Sequence, residues 1–304
     1  MISFQDFDQW QSVAGFIMIS LFGLIFPLSG KKPMYFKLLF FIGILLSLII
    51  PFLVIVVDNV EQEKMVNRTG KMVHCVTLIL LFYCYTCKET MQRYFRHFFW
   101  FCYTLAWYSL FELLCHDVLF SSKFQFVKVL FPWLNRNFGV VDFNFTSPLN
   151  YLIKFTFLGL FFRGSLQNPT LKKVFQYAIW VLVIFELVQV FVFKSYQGYD
   201  SLSSTIKNFF VLGGAGLLLY RVYREPNVSL RLQKNPYFWI CLGLILPALA
   251  ELFLEFVFTK LYQTDLISFY KLYLVRNASQ IIGFTLLIVG VWQVKYLRFL
   301  PKMY

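Results

Sequence analysis

Nine apolar segments follow one another along this chain, over roughly residues 12–29, 38–57, 72–87, 98–119, 149–166, 174–194, 203–223, 237–258 and 269–294. An α-helix needs about 20 mainly apolar residues to cross the hydrocarbon core, with a working range of about 17–25. The third and fifth segments are short; the rest qualify. No stretch between or beyond them is large enough for a soluble domain. The chain 1–304 therefore reads as a single integral membrane domain, an all-α polytopic transmembrane bundle of about nine spans. Composition agrees: 59% of residues are hydrophobic and 14% charged, where a soluble domain carries about a quarter charged.

Positive charge sorts by side. Connections after the odd-numbered spans, with the C-terminus, hold Lys31, Lys32, Lys37, Lys88, Arg93, Arg96, Arg163, Lys172, Lys173, Arg221, Arg224, Arg231, Lys234, Lys295, Arg298 and Lys302. The other side carries fewer bases and most of the acids, including Asp6, Asp8, Asp58, Asp142, Asp200 and Asp265. The positive-inside rule then predicts an outside N-terminus and a cytoplasmic C-terminus in a cell membrane. It also accounts for the net charge of +13 without nucleic acid, because the bases are dispersed over short loops. Asp6 and Asp8 stand where a cleavable signal would be positive, so the first span is expected to be retained.

Against this apolar background three acids stand out: Glu112, Glu186 and Glu251, each past the middle of a span. A carboxylate at that depth costs several kcal/mol unless it is neutral, paired or wetted. Their surroundings repeat. Phe101-Cys102-Tyr103 leads to Phe111-Glu112-Leu113, and 74 residues on Phe175-Gln176-Tyr177 leads to Phe185-Glu186-Leu187. A weaker third unit holds Ala250-Glu251-Leu252. The pattern predicts parallel helical-hairpin repeats over 72–119, 149–194 and 203–258, a final span over 269–294, and turns at Asn168-Pro169 and Asn235-Pro236. A fourth copy in the first two spans would carry Pro51 in place of the acid.

In this topology the three glutamates lie about 13–15 residues along outward-going helices, hence at similar heights in the outer half. His116 and Glu255 follow Glu112 and Glu251 by one turn and share their faces. Returning helices bring His74, Lys154, Lys207, Asn208, Arg276, Asn277 and Gln280 toward the same level. The candidate ligand-binding layer is thus Glu112, His116, Glu186, Glu251, Glu255 and Arg276. Two roles stay open for the acids, as ligand-facing groups or as interhelical struts hydrogen-bonded to a neighbour. Lys154 and Lys207 are expected to snorkel to the interface. Arg276 needs a carboxylate or water, with Glu251 and Glu255 nearest in sequence.

Other features carry less. Cys84 and Cys87 form a C-x-x-C pair near His97, but no second ligand pair closes a metal site, and all six cysteines fall in spans as packing residues. Gly213, Gly214 and Gly216 read as close-packing positions. The apolar connection 121–148 reads as an interfacial helix ending at Pro132 or continuing to Asn135, over the outer end of the bundle. No H-E-x-x-H, G-x-S-x-G or phosphate-loop pattern occurs, so neither an enzyme nor a cofactor is expected.

The stretch from Ser204 to Pro226 and the turn Asn235-Pro236-Tyr237-Phe238-Trp239, followed by Arg276-Asn277 to Trp292, resemble a group of uncharacterised bacterial, Bacteroidota-type polytopic membrane proteins with an N-P-x-F-W turn before the penultimate span. Where that group often has a glycine-tyrosine pair, this chain has Gly243 and then Pro247-Ala248. The resemblance implies a membrane bundle without an output domain, akin to the input modules of sensors. The expected function is receptor-like or accessory: recognition of a small ligand, ion or partner at an outer polar layer, working with membrane lipid and a membrane or cytoplasmic protein. A transporter or channel for a proton, cation or small solute is one alternative; a structural assembly subunit is the other.

Overall fold

A computed structural model of the protein describes residues 62–115, 127–140, 143–224 and 235–294. The expected spans at 12–29 and 38–57, the fourth repeat copy and His116 lie outside the described residues. Every regular element among the described residues is helical: α1 (Gln62–Thr86), α2 (Lys88–Tyr94), α3 (Arg96–Leu114), α4 (Val127–Phe138), α5 (Ser147–Ile153), α6 (Gly159–Ser165), α7 (Pro169–Phe191), α8 (Ser201–Arg224), α9 (Pro236–Thr264) and α10 (Leu266–Val294). A π-helical turn, Lys154–Leu158, joins α5 to α6 without a break, making one run from Ser147 to Ser165.

Five helices are long and apolar enough to cross a membrane: α1 over Thr69–Thr86, α7, α8, α9 over Pro236–Val257, and α10. The described parts of the segments expected at 98–119 and 149–166 are helical as well. However, α3 carries Arg96, His97 and Glu112 within 19 residues, and the α5–α6 run is interrupted by its π turn. Five spans are therefore supported within the described residues, and nine are not reached there.

Helix starts follow from sequence chemistry. At both Asn-Pro turns the asparagine caps the next helix: Thr170 N–H donates to Asn168 Oδ1 at 2.9 Å, and Tyr237 N–H to Asn235 Oδ1 at 3.0 Å. Proline follows in the first helical position, where its missing N–H costs nothing. Asp265 caps α10 by accepting from Ser268 N–H at 3.1 Å, and its hydrogen bonds to Ser268 hold the exposed carboxyl below the usual range. Hydroxyls inside the helices bond back to their own chain, as Thr77 does to the Val73 carbonyl and Thr285 to that of Ile281. Such bonds keep these hydroxyls satisfied inside an apolar segment.

The helices close into a ring. α1 packs on α3, α3 on the α5–α6 run, that run on α8, α8 on α9, α9 on α10, and α10 back on α1. α7 stands outside, against α5, the π turn and α6. Its outer face exposes Tyr177, Trp180, Val181, Ile184, Val188 and Phe191, a continuous apolar surface suited to lipid and costly in water. Consecutive helices pair as hairpins would, but α3 and α9 belong to the ring while α7 does not. The three hairpin units are not equivalent in the bundle.

One end of the ring is filled with hydrocarbon. Phe98, Phe99, Phe101, Phe162, Leu218 and Ile240 are fully buried there, and Phe95, Phe161 and Tyr237 form a cluster of mutually contacting rings. Cys84 reaches Cys102 across this core, and its C-x-x-C neighbour Cys87 instead begins α2. Of the three close-set glycines, Gly214 faces Phe162, while Gly213 and Gly216 meet nothing. Elsewhere Gly243 of α9 and Gly283 of α10 approach backbone to backbone. In the 121–148 connection, α4 runs on past Pro132 and Asn135 to Phe138. Gln197 Nε2 ties its end to the bundle through the Phe138 carbonyl at 2.8 Å.

Candidate functional site

At the opposite end the ring encloses a polar cavity of about 300 Å³. Every ring helix contributes to it. His74 comes early in the apolar part of α1, Glu112 near the end of α3, Lys154 from the π turn, Lys207 early in α8, Glu251 late in the apolar part of α9, and Arg276 early in α10. Helices that alternate in direction place early and late positions at the same end, which is why these groups converge. The volume is at the lower bound of the about 300–1,000 Å³ typical of small-molecule sites.

Glu251 is the centre of the network. Its Oε2 accepts from Lys207 Nζ at 2.5 Å, and its Oε1 accepts from Gln280 Nε2 at 2.6 Å. The Lys207 and Glu251 side chains are only 5% and 8% exposed, so this is a buried ion pair rather than a surface one. Lys207 therefore does not snorkel. Its stem is long enough to reach the helix end, but the carboxylate on the facing helix holds it inward, with its ammonium 5.5 Å from the Tyr151 ring centre. Lys154 does not snorkel either. The π turn inserts an extra residue into the helix, and Lys154 lines the cavity within electrostatic reach of Lys207, Glu251, Arg276 and Glu112.

The other carboxylates in the cavity also have partners. His74 Nε2 lies 3.6 Å from Glu112 Oε2, and the Tyr108 hydroxyl lies 3.4 Å from Thr146 Oγ1. Glu255 accepts from the Tyr199 hydroxyl and from Ser201 Oγ, the latter at 3.1 Å. Burial, and then the Glu255 carboxylate, hold the Tyr199 phenol well above its usual pKa, so it stays a donor. Asn277 Nδ2 donates to the Val66 carbonyl at 3.2 Å and to Thr69 Oγ1 at 2.9 Å, tying α10 to α1.

Arg276 departs from expectation. Neither Glu251 nor Glu255 forms an ion pair with it; its guanidinium lies over the Tyr273 ring, 4.6 Å from the centroid. Among the described residues, Arg276 and Lys154 both line the cavity with no carboxylate in ion-pair contact. A smaller space of about 50 Å³ adjoins the cavity, lined by Lys154, Asn208, Glu251 and Gln280 together with apolar residues such as Phe101, Leu105 and Leu287.

Of the residues marked by sequence, the structure brings Glu112, Glu251, Glu255 and Arg276 into one cavity. It leaves Glu186 out. That side chain is fully buried on α7, outside the ring, near Ser203 and Asp200, and neither of its oxygens has a hydrogen-bond partner among the described residues. Tyr108, Tyr151, Tyr199 and Tyr273 were not picked out by sequence, because one tyrosine among 18 in an aromatic-rich chain carries no signal. No cluster of three or more His, Cys, Asp and Glu able to hold a metal occurs among the described residues. Comparison of the chain with protein-family models, with curated proteins and with solved structures gives no match.

Proposed function

We propose that this protein is a receptor-like or accessory membrane bundle that recognises a small ligand in the polar cavity, with the cavity facing outward and the C-terminus in the cytoplasm. The observation that carries the reading is one-sidedness: charged groups from every ring helix converge at one end, and packed aromatics fill the other. It acts through contacts with a separate membrane or cytoplasmic partner, since the connections between its described helices are short. A transporter would need polar groups through the apolar end, where an ion would meet the several-kcal/mol penalty of hydrocarbon. A purely structural subunit has no use for two cations left facing a cavity.

Two measurements test it. In a cysteine-free background, Gly198→Cys is expected to react with a membrane-impermeant maleimide from outside, and Lys172→Cys only after permeabilisation. The reverse pattern would invert the bundle. Reconstituted in liposomes, the protein is expected to pass neither protons nor monovalent cations above the rate of empty vesicles; flux lost on Glu251→Gln would establish a transporter instead.

A further inference from the structure

We infer that the ligand of this cavity is a small anion, with a carboxylate or phosphate group bound between Lys154 and Arg276; this rests on the cavity being a recognition site. Polar valence within the cavity points that way. Two of the carboxylates have protein donors, Glu251 in Lys207 and Gln280 and Glu255 in Tyr199 and Ser201, and Glu112 lies 3.6 Å from His74. The cations are not matched in the same way. Of Lys154, Lys207 and Arg276, only Lys207 has its charge neutralised at contact distance by a described carboxylate of the cavity. Lys154 and Arg276 come from different helices, so an anion placed between them bridges the π turn and α10.

Each of the two cations is held for such a role. Arg276 Cζ lies 4.6 Å from the Tyr273 ring centroid, and both residues line the cavity; a guanidinium there can form paired hydrogen bonds to a carboxylate or phosphate. The π turn is a departure from regular helix, and such turns recur at functional sites. Here it delivers a lysine to a cavity wall that is otherwise Tyr151, Asn150 and Leu105. Repulsion among Lys154, Lys207 and Arg276 is relieved when an anion enters, so binding gains from charge already concentrated in a water-poor site. A free anion and a lipid headgroup share this chemistry.

The full chain, purified into phosphatidylcholine nanodiscs, would be titrated at constant ionic strength with inorganic phosphate, acetate and succinate, and separately with short-chain phosphatidic acid. Choline, putrescine and glycerol serve as cationic and neutral probes, with thermal unfolding and calorimetry as readouts. At least one oxyanion is expected to bind saturably, and Lys154→Gln and Arg276→Gln each to weaken it ~10–100-fold, as hydrogen bonds to a buried charge do. Arg276→Lys, which keeps charge but not the planar fork, is expected to recover part of that loss. Binding of soluble anions identifies a free ligand; binding of the phosphatidic acid alone identifies a headgroup; both support the inference. Should Arg276→Gln not fold, Lys154→Gln and the wild-type panel decide. Saturable binding of choline, putrescine or glycerol, but of no anion, would overturn the inference while leaving cavity recognition standing. Anion binding indifferent to both variants overturns it too. Binding of nothing in the panel removes both.

Discussion

Glu251→Ala is expected to lower the stability of the bundle by about 3–5 kcal/mol, the cost of leaving one member of a buried ion pair alone. Lys207 would lose the carboxylate it pairs with while still facing Lys154 and Arg276, and Gln280 would lose its acceptor. Glu251→Gln keeps one acceptor for Gln280 and should lie between alanine and wild type. Glu251→Gln combined with Lys207→Met should recover most of the loss, because it removes both charges together. Glu186→Gln is the contrast. That carboxyl makes no hydrogen bond among the described residues and lines no cavity, so its change should be small. Unfolding of the purified variants, followed by tryptophan fluorescence in one detergent, measures all four. If Glu251→Ala and Glu186→Gln cost the same, Glu251 is not the centre of the polar network.

The contrast between these two glutamates shows what the chain reveals before it folds. Both sit in Phe/Ala-Glu-Leu contexts, and spacing along each helix is readable from the sequence. Glu112, Glu251, Glu255 and Arg276 do meet in one cavity. What spacing leaves undetermined is where each helix stands in the ring and which way it is turned. α7 sits outside, and its glutamate does not line the cavity. Lys207 was read as a snorkelling side chain because a lysine near a helix end usually finds water first. A carboxylate on a different helix, 44 residues away, reverses that outcome. The Asn-Pro starts of α7 and α9 were legible for the opposite reason: cap and proline act within three residues and need no tertiary partner.

Gly283→Ala is expected to destabilise the protein by about 1–3 kcal/mol, and Gly283→Leu by more, because neither has anywhere to go. A Cβ at Gly283 would press on the Pro247 ring and stand 2.7 Å from the Gly243 carbonyl oxygen. A flexible side chain can swing aside; a proline ring in α9 and a backbone oxygen cannot. The only relief is to move α10 away from α9. That movement reaches the cavity, since α9 carries Glu251 and Glu255 while α10 carries Arg276 and Gln280. The Gln280–Glu251 bond at 2.6 Å spans the same interface one turn from Gly283 and should stretch first. Gly283→Ala should thus weaken ligand binding in protein that is still folded, although residue 283 does not line the cavity. Gly213→Ala is the control. Its Cβ would meet nothing within 4 Å on the exposed face of α8, and replacing glycine in a helix should stabilise by about 0.4–1 kcal/mol. Unfolding midpoints of the three variants, measured beside wild type, separate the outcomes. Equal midpoints for Gly283→Ala and wild type would mean that the α9–α10 contact has slack, and that the cavity is not set by the approach of these two helices.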